Sequence, residues 1–432
     1  MVILAGATLS LPANAQTAAP SQGYDVMTSP NLFGDWNGLR TSLHNQGVDF
    51  QLGYASETVT NWMGGDKHLI ENAGQFQLGS TFDLQQIFGI QGGSFQVTVV
   101  ERNGRNLAAD ANLGTLQLVN EIYGRGDIFR LTDFYYDQKF DNGAFDFKIG
   151  RLTYGGTFAA FSCDFINLTF CGAPPGNLVG YIFNWPVSQW AAVAKANIGD
   201  FGYVQVGAYD INPSNLDLNP GIALAPSFPN GSTGVMIPVE AAWLPTFGNL
   251  AGSYKFGGWY DTSTANDVLL NTAGQPLVFG GTPQRDTGRW GYYINFKQQV
   301  TADPTGADPK HGLFGFFNAT FTDDRTSTTD RQIAGGFLYH GPFDSRPNDD
   351  IGFAIGTTHV NPRIADGEAI ANAAGVGQGF TQTGELTTEV FYGLQATGWL
   401  NLKGSLEYIH NPGGTNFFKD VIVSAVRVSI TF

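Results

Sequence analysis

The segment Gly398–Phe432, GWLNLKGSLEYIHNPGGTNFFKDVIVSAVRVSITF, reads as two β-strands joined by a turn. In the second strand Ile422, Ser424, Val426, Val428, Ile430 and Phe432 share one face. Val423, Ala425, Arg427, Ser429 and Thr431 share the other, the period-two pattern of a half-buried strand. The stretch before it repeats the pattern, with Leu400, Leu402, Leu406 and Tyr408 against Asn401, Lys403, Ser405 and Glu407. Between them Asn411, Pro412, Gly413 and Gly414 supply a fixed φ followed by two permissive residues, which is turn chemistry.

Alternating strands that end on an aromatic residue also terminate outer-membrane barrels, where the last strand pairs with the first and removes the sheet edge. Composition agrees. Of 432 residues only 14% are charged, against roughly 25% in a soluble domain, while glycine (57) and phenylalanine (34) are abundant. The mean hydropathy is −0.09, and outside the N-terminus no uninterrupted run approaches the ~20 apolar residues of a spanning helix. Apolar and polar residues are interleaved, as in strands with lipid on one side and water on the other, whose backbone groups are all satisfied by neighbouring strands. A soluble β-sandwich could also bury one face of each sheet, but has little use for so many long strands. The net charge of −15 argues against nucleic acid as a partner.

Taken in order, residues 1–15 read as an export signal, with an apolar stretch and an A-x-A site at Ala13, Asn14 and Ala15. The usual basic opening is missing, so a true start upstream of Met1 is expected. Residues 16–46 are expected to hold a mobile tail, through Pro30, and then a short helix capped by Asp35 and carrying Trp36, Leu39 and Leu43. From 47 to 432 strand signals follow one another, about sixteen in all, separated by turns of very unequal length. The fold class is therefore an all-β, transmembrane, antiparallel barrel with a short N-terminal helix.

With the apolar parity facing lipid, the other parity lines a lumen. Arg102, Asp133, Tyr135, Asp137, Lys139, Lys148, Glu240, Lys255, Tyr293, Asn295, Lys297, Glu389, Lys403 and Glu407 then point inward. The mixture of signs suits a small polar solute. The six histidines show no HExxH spacing, so no metal and no cofactor is expected, and neither a GxSxG elbow nor a P-loop is present. Only closeness in sequence would join Asp349, Asp350 and His359 into a catalytic group, so no enzyme is expected. Cys163 and Cys171 are too far apart for a CxxC pair; in an oxidising compartment they can close a short loop, or remain two thiols.

Several stretches together resemble the OprB-type carbohydrate-selective porins: LFGDWNGLR (Leu32–Arg40), VVERNGRNL (Val99–Leu107), RLTDFYYDQ (Arg130–Gln138) leading to IGR (Ile149–Arg151), CDFINLTFCG (Cys163–Gly172), and the ending from Glu389 through Asn411–Gly414. The resemblance implies a sixteen-stranded barrel in the bacterial outer membrane, passive uptake of monosaccharides such as glucose, and a constriction formed by inward-folded loops. It implies a Cys163–Cys171 disulfide and assigns Arg102, Asp133, Tyr135, Asp137 and Arg151 to the constriction, which Lys148, Glu240 and Lys297 join by parity. Alternation from Phe147 and Ile149 aims Arg151 outward unless Gly150 marks a bulge. Phe432 is the expected handle for the barrel-assembly machinery. The alternatives are a pore for polyols or cyclic hydroxy acids, a general low-selectivity porin, or a surface receptor.

Overall fold

The computed structural model describes residues 24–302 and 310–432. The export signal lies outside the described residues. The chain forms seventeen extended segments: β1 (Val48–Met63), β2 (Ile70–Asp83), β3 (Gly93–Gly104), β4 (Ile128–Phe140), β5 (Phe145–Leu152), β6 (Gln189–Ile198), β7 (Gly202–Ile211), β8 (Gly234–Trp243), β9 (Thr246–Phe247), β10 (Leu250–Asn271), β11 (Pro283–Gln299), β12 (Gly312–Thr322), β13 (Thr329–His340), β14 (Asp350–Val360), β15 (Gly384–Gln395), β16 (Leu400–His410) and β17 (Val421–Thr431). The two residues of β9 only pair back onto the start of β10. The other sixteen make one closed antiparallel wall, because β1 pairs both with β2 and with β17. A soluble sandwich is thereby ruled out.

Closure follows from the alternation. Phe145, Phe147 and Ile149 stand exposed on the outside of β5, as do Val204 and Val206 on β7 and Phe353 and Ile355 on β14. Such a surface is stable only against lipid. Aromatic side chains gather toward both ends of the wall: Trp243 packs on Phe247 and Tyr254 near the short turns, and Trp290 stacks on Tyr292 toward the long loops. Both ends of the described chain lie with the short turns, which in barrels of this kind face the periplasm.

One irregularity matters for the site. Between β3 and β4 the register slips, so that Thr98 faces Asp133 while Val99 faces Leu131, and Thr132 is an extra residue. The bulge lets Arg130 point inward on one side of it and Asp133, Tyr135 and Asp137 on the other. Gly150 does not do the same. Its backbone (φ 142°) passes so close to β4 that a Cβ would lie 2.2 Å from the Phe134 oxygen, yet the pairing continues unshifted. Arg151 therefore keeps the parity of its neighbours Phe134 and Trp190, the outward one.

The N-terminal segment is less free than a tail. From Tyr24 it lies against the end of the barrel: Trp399 Nε1 donates to Val26 O (2.6 Å), Leu32 N to Thr431 O (2.8 Å), and Phe33 stacks on Phe432 at 5.5 Å. The helix spans Leu39–His44, and Asp35 Oδ1 accepts from Thr41 N at 2.8 Å.

Candidate functional site

Between β5 and β6 the chain makes a long loop, residues 153–188, that folds into the barrel. Its apolar side chains bury against the inner wall. Tyr154, Phe158 and Ile182 pack with Val193, Tyr209, Trp259 and Tyr293, and on another side Phe161, Phe165 and Phe170 pack with Phe316, Leu338 and Phe391. The loop is thus a folded plug that shares its core with the wall.

The plug's backbone is tied to polar side chains that alternate inward along the wall. On one side Glu240 accepts from Ala159 N (2.9 Å), Tyr293 OH (2.6 Å), Tyr203 OH (2.7 Å) and Gln205 Nε2 (2.9 Å), while Lys255 Nζ donates to Ala160 O (2.7 Å). Opposite, Glu389 accepts from Ile166 N and Asn167 N (both 2.9 Å), Glu407 from Asn167 Nδ2 (2.7 Å), and Lys403 Nζ donates to Asp164 O (2.5 Å). Hydrogen bonds to charged groups contribute about 1.5–3 kcal/mol each when buried. The disulfide Cys163–Cys171 closes the tip of the loop. Burial works against the charge of Asp164 at that tip, but Lys297, Lys403 and His340 outweigh it and hold the carboxyl below the usual carboxylate range.

A second loop, residues 105–127, joins the neighbouring strands β3 and β4. Leu107, Ala111, Leu113 and Val119 pack on Val421, Val423 and Ala425 of β17. Between the two loops and strands β1–β3 and β17 lies a cavity of ≈ 610 Å³. Its charged lining is a linked set. Arg102 Nε donates to Gln75 Oε1 (2.8 Å) and Nη1 to Gly124 O (2.8 Å), with Nη2 3.5 Å from Glu121. Arg427 bridges Glu57 (2.5 Å) and Glu121 (2.8 Å). Trp185 Nε1 shares Gln75 Oε1 at 3.0 Å, and Asn106, Asn177 and Arg125 are also on the lining.

The structure distributes the residues expected from the sequence over four places. Arg102 lines the cavity. Asp133, Tyr135, Asp137 and Lys148 form a patch on the inner face of β4 and β5, with Lys148 3.9 Å from Asp137 and 5.5 Å from the Tyr135 ring. Glu240 and Lys297 serve the plug, Glu240 as an anchor with both oxygens engaged and Lys297 beside Asp164, 5.2 Å from the Phe314 ring. Arg151 leaves the inward set. Its guanidinium ties the loop 212–233, through Ala225 O (2.8 Å) and Asn215 Oδ1 (3.4 Å), to Ser188 O (3.3 Å) at the end of the 153–188 loop, and its backbone parity is the outward one. Glu57, Gln75, Glu121, Arg125, Trp185 and Arg427 were not singled out from the sequence. Arg427 was legible there, since it sits on the polar parity of the last strand. His359 and Asp350 lie at opposite ends of β14, and His359 Nδ1 is 2.8 Å from Asp330.

Residues 67–432 match the model of a family described as carbohydrate-selective porin, OprB family. The chain belongs to the OprB family of carbohydrate-selective porins. It is 38% identical to Porin B of Pseudomonas aeruginosa over 424 residues, 94% of this chain and 92% of that protein. It is 33% identical to the putative porin QuiX of Acinetobacter baylyi, over 93% of each. The high-pH structure of Pseudomonas putida OprB superposes with a TM-score of 0.90 at 37% identity, covering 95% of this chain and all of that one. An OprB-family sugar porin of the bacterial outer membrane is thus a channel whose chemistry is passage.

Proposed function

We propose that the cavity between the two loops is the selective site, that Arg102 belongs to it, and that monosaccharides such as glucose pass through it down their gradient. The observation that carries this reading is the lining. Arginines, carboxylates and amides offer donors and acceptors to hydroxyls, and Trp185 offers a face to sugar C–H groups, in a space within the ~300–1,000 Å³ of small-molecule sites. Asp133, Tyr135, Asp137 and Lys148 lie beyond it and would receive the sugar next. Each contact has to be weak enough to release, so a millimolar affinity, about 4 kcal/mol, is expected.

Reconstitution in planar bilayers with glucose titrated against single-channel current tests it. Saturable block, weakened about tenfold by Arg102→Ala, is the expected result. Ohmic current indifferent to sugars would return the protein to the class of general pores. We further propose that Phe432 is the handle for the assembly machinery. Arg40 Nη2 bonds its backbone oxygen at 2.6 Å in the folded state, so recognition would precede docking of the N-terminal segment.

A further inference from the structure

The cavity's charges do not balance. Arg102 and Arg427 on the lining pair with Glu121 on it and with Glu57 buried behind it. Arg125 is a third cation on the same lining, and among the described residues its guanidinium has no hydrogen bond and no ion pair; its one ring contact is Phe183, at 6.0 Å. Burial, then the like charge of Arg102, depresses its pKa.

The backbone makes the placement costlier still. Arg125 adopts φ 82° and is followed by Gly126 at φ 83°. A left-handed conformation costs an L-residue about 1–2 kcal/mol, and glycine would serve the turn without that cost. The conformation is clamped by Arg130, whose Nη2 donates to Arg125 O (3.0 Å) while Nη1 donates to Asn215 O (2.9 Å). What Arg125 adds to the turn is its side chain, held at the cavity without a counter-charge. Strain and an unanswered charge at one position mark a ligand contact.

We propose that Arg125 seats a carboxylate, so that this porin takes singly charged sugar acids, uronates and aldonates, in preference to neutral hexoses. The proposal rests on the reading of the cavity as the sugar site. The planar fork of an arginine matches a carboxylate with two parallel bonds. One unpaired guanidinium on the lining matches one carboxylate.

The test compares glucuronate with glucose, which differ at one carbon, as blockers of single-channel current. The wild type should bind glucuronate about tenfold more tightly. Arg125→Gly removes the guanidinium while relieving the strain, and should abolish the preference, bringing the ratio of glucuronate to glucose affinity to about one. Arg125→Lys, which keeps the charge but not the fork, should keep part of it. Equal block of the wild type by both solutes, or a preference that survives in Arg125→Gly, overturns the proposal and leaves the sugar site standing. Absence of block by either overturns the reading of the cavity and the proposal with it.

Discussion

Asp164 shows how a single side chain can set the pH range of the channel. Its carboxyl is buried, which disfavours charge, yet Lys297, Lys403 and His340 keep it below the ordinary value of about 3.9. A depressed carboxylate stabilises the folded state fully above its unfolded pKa and loses that contribution as pH falls through the lower folded one. The plug should therefore stay quiet from pH 7 to about 4 and become noisy below. Current fluctuations recorded across that range check this, and Asp164→Asn should bring the noise to neutral pH. Noise that already rises between pH 7 and about 5 would point to another group. Parity predicted that such residues face inward. It could not say that Glu240, Lys255, Glu389, Lys403 and Glu407 would meet loop backbone rather than water, because their partners lie in a segment with no periodicity to read.

At the scale of elements, the strands were legible and the loops were not. Period-two alternation found every wall strand, since each has one face in lipid and one in a polar interior. The bulge at Thr132 was hidden, as Leu131-Thr132-Asp133 carries no glycine to announce it, and the glycine that did look like a bulge, Gly150, marks a close approach instead. The 153–188 loop is seated on a wall whose strands pair without it, so its disulfide should matter to the loop and hardly to the wall. Closing a span of sequence separation 8 contributes about 2–3 kcal/mol in the chain-entropy model. Reduction, or Cys163→Ser with Cys171→Ser, should raise open-channel noise while the barrel keeps its heat-resistant mobility on gels. Loss of that mobility on reduction would mean that the bridge holds the wall as well.

For the whole molecule, the N-terminal segment and the seam are the long-range features. Phe33 stacks on Phe432, and Arg40 bonds its backbone oxygen. Phe33→Ala with Arg40→Ala should lower stability in urea by about 1–2 kcal/mol and leave sugar block unchanged, since the cavity lies toward the long loops; a change in block with unchanged stability would contradict this account. The seam reaches the cavity. Glu57 on β1 and Arg427 on β17 face each other in register across the closure, and their ion pair holds one side of the cavity although 370 residues separate them. Contacts so distant in sequence form slowly and late. A nascent chain that has laid down all but its final pairing possesses a wall with two raw edges and no discriminating mouth. If the cavity is the selecting site, as proposed, completion and discrimination arrive in one step, and an unfinished barrel, whatever it leaks, does not choose.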